Sequence, residues 1–109
     1  MAAVKEFHAH VYYDAATRER AQKLCQAAGE KFDVKVGRMH DNPVGPHPRG
    51  SCQLTVVAGQ FDDVFPWLVL NRKGLTIFAH ARTGNALKDH TDHVIWLGPS
   101  EPLKLSALS

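Results

Sequence analysis

The chain has 109 residues, of which 44% are hydrophobic and 22% are charged, so length and composition predict one globular domain over residues 1–109. The formal net charge of +2 comes from scattered basic residues, which argues against a nucleic-acid-binding protein. No apolar run is long enough for a membrane span, and Met1–Val4 runs directly into charged Lys5 and Glu6. We therefore expect neither a membrane protein nor a signal peptide.

Cysteine and histidine content indicates the redox compartment and the metal chemistry that the chain favours. Cys25 and Cys52 lie far apart and form no paired motif, so we expect no disulfide framework and no structural zinc site. A reducing cytoplasm is the simplest compartment. Histidine is frequent, with seven residues. They are His8, His10, His40, His47, His80, His90 and His93.

The first predicted element is a strand over residues 7–13, where apolar and polar side chains alternate. Its apolar face consists of Phe7, Ala9 and Val11. Its opposite face carries His8, His10 and Tyr12. Two imidazoles two positions apart are placed like metal ligands, or like an acid and a base beside a substrate. A solvated strand face is the alternative.

A helix is predicted next, with Asp14 as its N-cap, running to about Ala28 and stopped by Gly29. Its apolar residues recur at i, i+3, i+4 and i+7 and form one stripe. Cys25 lies on this stripe, so we expect a small core residue rather than a reactive thiol.

Residues 32–38 alternate again and predict a second strand, and residues 39–50 that follow contain three prolines and two glycines. Such a segment forms neither a helix nor a central strand, so we expect a stiff loop. Stiffness lowers the entropy cost of holding His47 in one place, although the prolines could equally shape a plain surface turn. His40, at the edge of this loop, is expected to be a solvated surface residue.

A second helix is expected after a third strand. Asp62 or Asp63 would cap it, with Pro66 in its first turn and Gly74 after its end. Trp67 lies on its apolar face and is expected to pack in the core. The third strand covers residues 51–57, with inward side chains Cys52, Leu54 and Val56.

The remaining segments complete a recognised order of elements. This order is β-α-β-β-α-β with a C-terminal extension, which predicts an α+β fold of the ferredoxin-like class. Such a fold has an antiparallel sheet with both helices on one face, here with a short extra strand. The segments are a strand over 75–80, a turn over 82–85, an aperiodic stretch over 87–92, a strand over 93–98, and a tail from 103 to 109 that frays or covers a sheet edge.

The predicted topology brings histidines together. Strand one is central in such a sheet, between strands three and four, so His80 at the end of strand four is expected beside His8 on the face without helices. His10 shares that face. Three histidines, or two with a carboxylate, suit Fe(II), Zn(II) or Mn(II) that must also bind a substrate. We favour the three histidines, because no carboxylate has compelling spacing. The carboxylates considered are Asp14, Asp41, Asp89 and Asp92.

Other residues of the open face suggest acid–base chemistry and self-association. His47 could be a further ligand or an acid or base, whereas His90 and His93 meet only if their segment is helical. Tyr12, Phe78 and the histidines leave apolar surface on the open face, which domains of this pattern often bury against a second copy or under a C-terminal segment. We expect a homodimer.

Five motifs in order resemble the DOPA 4,5-dioxygenase family, from Phe7 to about Pro99. The resemblance implies extradiol cleavage of a catechol ring with O2 by a non-haem metal, usually Fe(II). Ala81 departs from the family, whose members often have proline there. The motifs are FHAHVYYD at 7–14, GPHP at 45–48, WLVLNR at 67–72, HARTG at 80–84 and DHTDHVIWLG at 89–98. The corresponding family histidines are His8, His10, His47, His80, His90 and His93.

The resulting hypothesis assigns roles to these residues. A metal held by His8, His10 and His80 binds the catechol and O2. The catalytic candidates are His47, which takes a catechol proton, His93, which shares its return, and His90.

Substrate contacts and rival functions complete the hypothesis. Arg49 or Arg82 could pair with a substrate carboxylate, although each also fits ordinary loop charge, and Tyr12 is the third substrate-binding candidate. The main rival is a non-catalytic dimeric module that binds a metal or a small aromatic ligand. A second rival is a zinc hydrolase or isomerase using the same pocket.

Overall fold

In the computed structural model, which describes residues 4–108, five antiparallel strands form one sheet. Their order is β2-β3-β1-β4-β5, so β1 is central between β3 and β4, as predicted. The ferredoxin-like α+β fold is therefore confirmed, with β5 as the short extra strand. The strands are β1 Glu6–Tyr13, β2 Lys35–His40, β3 Gly50–Val57, β4 Ile77–Ala81 and β5 Val94–Leu97.

The helices pack on one face of this sheet. Buried side chains of α1 and α2 share one core with Ala9, Val11, Leu54 and Val56, which is the predicted inward face of β1 and β3. Alternation along these two strands therefore separates a helix-covered face from an open face. The helices are α1 Arg18–Lys31, α2 Phe61–Asn71 and α3 Ala86–Asp89, with short 3₁₀ turns at Ala58–Gln60 and Leu105–Leu108.

Helix α1 begins and ends later than predicted. Asp14 does not cap it, because its carboxylate accepts hydrogen bonds from the backbone N–H groups of Ala16 and Thr17 in a turn before the helix. Gly29 lies inside the helix rather than after it. A Cβ at Gly29 would lie 2.7 Å from Cγ2 of Val36, so this glycine permits close approach of α1 and β2 instead of ending the helix.

Helix α2 begins earlier than predicted. Neither Asp62 nor Asp63 caps it; both lie in its first turn, where acidic side chains interact favourably with the helix dipole. Pro66 is consequently an interior residue of α2, and it has no N–H to donate to the carbonyl of Asp62. Trp67 is partly buried and packs against the core, with its ring 5.5 Å from that of Phe32.

Strand β2 is displaced along the sequence from its predicted position. Helix α1 extends to Lys31, and Phe32 packs on α2, so pairing with β3 begins only at Lys35. The register shifts between Val36 and Met39, and the strand continues to His40, into the segment predicted as a loop. The loop that carries His47 is therefore shorter than expected.

The C-terminal part lies against the open side of the sheet. The backbone N–H of Lys104 donates to the carbonyl of Pro46 at 2.8 Å, so the tail contacts the loop that carries His47. Ser109, the last residue of the predicted tail, lies outside the described residues. So do Met1–Ala3, in the N-terminal stretch where no signal peptide is expected. Within residues 4–108, no helix is long and apolar enough to span a bilayer.

Core packing by α2 is tested by a matched pair of leucines. Leu68 is fully buried and Leu70 is 83% exposed on the same helix. We expect Leu68→Ala to lower the free energy of unfolding by about 2–5 kcal/mol, because it leaves a cavity in the core. Leu70→Ala should change it by less than about 0.5 kcal/mol. Urea unfolding of both variants measures the difference, and equal losses would contradict the packing described.

Candidate metal centre and active site

Three histidines converge on the open face of the sheet, as its topology predicts. His8 and His10 lie on β1, and His80 lies on β4 directly opposite His8 in the strand register. One ring nitrogen from each residue lies within 4.8 Å of the others. His10 and His80 are buried, and their rings stack at a centroid distance of 5.2 Å.

The proton positions of two rings follow from their partners. The Nδ1 of His80 lies 2.9 Å from the carbonyl oxygen of Ala81, and a carbonyl only accepts, so this nitrogen carries the proton. The Nε2 of neutral His80 therefore has a free lone pair. It lies 3.1 Å from the Nε2 of His10, which donates to it when no ion is bound.

This donor set fits a divalent transition metal. Imidazole nitrogens bind such ions at about 2.1 Å, so one ion can contact two nitrogens that lie 3.1 Å apart. A ligating histidine commonly donates its other N–H to a backbone carbonyl, as His80 does to Ala81. His8, His10 and His80 could therefore hold a metal ion.

His8 differs from the other two rings in its contacts. Its Nε2 lies 3.1 Å from a guanidinium nitrogen of Arg82 and 3.4 Å from the amide nitrogen of Gln53. Both groups are donors, so the lone pair of Nε2 points towards them. Glu6 lies 3.5 Å from the same nitrogen. His8 therefore stands at the polar mouth of the cluster, and metal binding would replace its contact with Arg82.

A fourth ring, that of His47, completes the inner wall. The loop before β3 places this buried side chain against His10, with ring centroids 4.1 Å apart. Its Nδ1 lies 2.8 Å from the hydroxyl of Tyr12. Burial, reinforced by Glu101, raises the pKa of Tyr12, so this hydroxyl keeps its proton and can donate or accept.

A fifth ring, that of His90, covers the cluster from the segment after β4. Its Nδ1 donates to the carbonyl of Ala86 at 2.7 Å, which leaves Nε2 with a lone pair. The rings of His90 and His80 lie 4.1 Å apart. The pocket between these rings has a volume of about 390 Å³. Its walls are His8, His10, Pro46, His47, Gln53, His80, Arg82, Gly84, Ala86, Asp89, His90 and Leu108.

Burial keeps the inner rings uncharged. Desolvation, with smaller effects from neighbouring histidines, lowers the pKa of His47 to about 4. Burial likewise lowers the pKa of His80 to about 4, and it holds that of His10 well below the usual range. At neutral pH the cluster therefore offers neutral imidazoles, the form that binds metals and accepts protons.

Comparison with known proteins decides the family. The profile of the Dopa 4,5-dioxygenase family matches residues 7–107. The chain belongs to this family. The resemblance inferred from the five motifs is thereby confirmed.

Two relatives of this chain support its assignment to the Dopa 4,5-dioxygenase family. It is 37% identical over 114 residues to a DOPA 4,5-dioxygenase of Amanita muscaria, covering 96% of this chain and 50% of the relative. It is 32% identical over 112 residues to an uncharacterized 21.2 kDa protein of Botryotinia fuckeliana, covering 92% and 61%. The chain thus spans about half the length of the first of these relatives and 61% of the second.

A solved structure matches the fold over nearly the whole chain. It is a crystal structure of a candidate dioxygenase from Nostoc punctiforme PCC 73102, which is 46% identical to this chain. The TM-score is 0.94, and the match covers 96% of this chain and 91% of the other.

Within this family member, the structure does not bring every candidate residue into the pocket. His93 does not line the pocket, and its Nδ1 donates to Asp89, a wall residue, at 2.8 Å. Arg49 forms a two-pronged ion pair with Glu101 at 3.0 and 2.8 Å, behind the ring of Tyr12. Arg82 stands at the mouth beside His8, and Tyr12 touches the pocket only through His47.

Two polar side chains of the wall are not among the site residues predicted from the sequence. Gln53 pairs with His10 in the register of β1 and β3. The inward prediction for Cys52 and Leu54 already implied that Gln53 faces the histidines, so the signal was present. The sequence suggests Asp89 only as a possible metal ligand. It is 2% exposed and accepts hydrogen bonds instead.

The acid stability of this chain should depend on Asp89. Burial alone would raise the pKa of its carboxyl, but hydrogen bonds from Thr83 and His93 outweigh burial and lower the pKa to about 2. An unfolded aspartate titrates near about 3.9, so this stabilisation is complete above that pH and disappears as pH falls towards about 2. Between about pH 5 and about pH 2.5, the free energy of unfolding of the wild type should fall by about 1–2 kcal/mol more than that of Asp89→Asn, as measured by urea unfolding. An unchanged pH dependence in the variant would contradict this.

Proposed function

We propose that this chain is a non-haem metal-dependent dioxygenase that cleaves a catechol ring with O2 in the extradiol manner. The observation that carries the proposal is the convergence of His8, His10 and His80 at the base of a histidine-lined pocket. Membership of the Dopa 4,5-dioxygenase family supports a DOPA-like dihydroxyphenyl substrate.

The proposed metal is Fe(II), with Zn(II) or Mn(II) as alternatives, held by His8, His10 and His80. When bound, such an ion supplies Lewis-acid polarisation of the catechol oxygens and a redox partner for O2. A site of neutral nitrogen ligands suits Fe(II) that must keep positions open for two substrates. Among the described residues, the cluster consists of three histidines and contains no cysteine, which agrees with a catalytic rather than a structural metal site.

The pocket is of a size for a single aromatic ring with a short substituent. Its volume of about 390 Å³ lies at the lower end of small-molecule sites. Phe78 is fully buried behind the histidines and packs on the rings of His10 and His90. The apolar part of the wall comes from Pro46, Ala86 and Leu108. Arg82 at the mouth is placed to pair with a substrate carboxylate, a role for which guanidinium geometry is suited.

The first choice for the residue that takes a catechol proton is His47. Its Nε2 can accept the proton while Nδ1–H donates to the hydroxyl oxygen of Tyr12, which stabilises the imidazolium formed. For the return of the proton, His90 is better placed than His93. His90 lines the pocket, and because its Nδ1 donates to Ala86, its Nε2 keeps a lone pair. A role for His93 in proton return stays a prediction. So does substrate binding by Arg49, which Glu101 neutralises.

A homodimer remains part of the proposal. Tyr12 and Phe78, from which the dimer was predicted, are fully buried, so the apolar surface at the open face is instead that of Val57 on β3, which is 45% exposed. Light scattering on the purified protein should give twice the chain mass. A monomer at micromolar concentration would remove the dimer from the proposal without touching the chemistry.

The proposed activity is tested by anaerobic reconstitution with Fe(II), then addition of DOPA, caffeate or protocatechuate with O2. A yellow semialdehyde chromophore that depends on Fe(II) supports the dioxygenase. Tight metal binding without O2 uptake over the catechol panel would favour the non-catalytic module. Turnover of an ester or an isomerisable substrate by the zinc form would favour the zinc enzyme.

A further inference from the structure

The segment between β4 and β5 carries five residues of the pocket wall but has almost no buried side chains of its own. Residues 82–88 are all exposed, and Asp89 is the first buried residue after Ala81. Helix α3 has only four residues, and a helix this short is unstable in isolation. Something outside ordinary apolar packing must therefore hold this segment over the histidines.

We propose that Asp89 is the positioning residue that fixes His90 on the pocket; this rests on the proposed function. Its carboxylate joins the two ends of the segment. At one end it accepts from the backbone N–H of Thr83 at 2.7 Å and from its hydroxyl at 2.6 Å. At the other end it accepts from Nδ1 of His93 at 2.8 Å.

The three hydrogen bonds close the segment into a ring around His90. Asn85 caps α3 by accepting from the N–H of Lys88, and His90 donates from Nδ1 to Ala86 one turn earlier. The ring of His90 is thereby held 4.1 Å from that of His80, with Nε2 free for the pocket. The closed turn between Thr83 and His93 keeps Ala86 and His90 in the positions that this donation needs.

The chemistry of this position requires a carboxylate. Every partner of Asp89 is a donor, and an ionised carboxylate is the side chain that offers only acceptors. Its oxygens are already engaged, so Asp89 is not a metal ligand in this arrangement. An asparagine of the same shape would direct an N–H towards one of these donors, and that hydrogen bond would be lost.

The role of His93 follows from the same geometry. His93 lies outside the histidine pocket, and its Nδ1–H is the donor that closes the segment at its C-terminal end. The backbone carbonyl of His93 also accepts from the N–H of Ala81 at 3.0 Å, which ties this end to β4. His93 and Thr83 are thus anchors for Asp89.

The test compares Asp89→Asn with Asp92→Asn, which makes the same chemical change at an exposed position three residues later. Long-range ¹H–¹⁵N spectra of the histidine rings report the tautomer of each imidazole. In the wild type and in Asp92→Asn we expect His90 to carry its proton on Nδ1. In Asp89→Asn we expect a mixture of tautomers at His90, with His80 unchanged as internal reference because its Nδ1 bonds to Ala81.

The kinetic arm uses the Fe(II) protein with a catechol and O2. We expect Asp89→Asn to lower kcat by about 10-fold or more at unchanged iron content, with KM changed less, because a ring near the reacting groups is misplaced. Asp92→Asn should stay within about twofold of the wild type. If the wild type turns over no catechol, the proposed function fails, and the tautomer of His90 still decides the positioning role.

A second pair of variants keeps the test decisive if Asp89→Asn does not fold. Thr83→Val removes only the hydroxyl donor, and Thr83→Ser keeps both donors. Thr83→Val should shift the tautomer of His90 in the same direction as Asp89→Asn, whereas Thr83→Ser should keep the wild-type tautomer. An unchanged His90 tautomer in Thr83→Val and Asp89→Asn, or kcat equal to that of Asp92→Asn, would overturn the proposal.

Discussion

Replacing His10 by alanine is expected to lower catechol cleavage by at least ~100-fold and to reduce bound iron below one equivalent. Loss of groups that merely orient metal ligands costs about 10- to 100-fold, so loss of a ligand should cost at least as much. His10 has the central position among the rings: its Nε2 lies 3.1 Å from that of His80, and its ring packs on His47.

The control for this experiment is His40→Ala, which removes the same side chain at the end of β2, away from the pocket walls. Its iron content and rate should match the wild type. Because His10 is buried, alanine also leaves a cavity, and His10→Gln, which keeps more of the volume, should lose activity with a smaller loss of stability. Full activity at full iron content in both His10→Ala and His10→Gln would show that His10 is no ligand.

Replacing His47 by glutamine is expected to lower kcat by about 10²- to 10⁴-fold while iron stays bound. Glutamine keeps a polar side chain of similar reach but cannot accept a proton at neutral pH. Tyr12→Phe should cost less, about tenfold, because it removes only the hydroxyl that lies 2.8 Å from Nδ1 of His47. Steady-state rates and iron analysis of both variants measure the split between metal binding and proton transfer.

The double variant sharpens this prediction. If Tyr12 acts only through His47, then adding Tyr12→Phe to His47→Gln should cost nothing further, because coupled residues are not additive. His40→Gln is the matched histidine control and should retain the wild-type rate. An unaffected kcat in His47→Gln, or additive losses in the double variant, would contradict the acid–base role assigned to His47.

The part of the site carried by regular strands was predictable from the sequence. Period-2 alternation put His8 and His10 on one face, and the order of elements placed β4 beside β1. Together these two facts fix the approach of His80 to His8. The same alternation on β3 also specified Gln53, which was overlooked although its inward neighbours were assigned correctly.

Element ends were predicted less well, because tertiary contacts override local signals. Gly29 has the sequence character of a helix stop, yet it lies inside α1, where it lets Val36 of β2 come close. Pro66 lies deeper in α2 than its sequence predicts, because the N-cap is Gln60, two to three residues before the expected caps Asp62 and Asp63. Nothing in these segments alone encodes the partner that decides the boundary.

Irregular segments were the hardest part of the site. Whether His90 and His93 face one pocket depends on a single helical turn, and that turn is set by the buried carboxylate of Asp89. Arg49 is drawn away from the pocket by Glu101, which is 52 positions later in the chain. Spacing cannot specify such long-range ion pairs.

Extradiol cleavage by this protein is tested by ring opening under ¹⁸O2 with the Fe(II) protein and a catechol. The aldehyde oxygen of the product exchanges with water, so the product should be trapped at once by borohydride and analysed by mass spectrometry. We expect a ring-opened product that carries both atoms of O2, and no such product with His10→Ala. A product labelled with one atom or none, or a catechol recovered intact with iron fully bound, would contradict extradiol cleavage at this site.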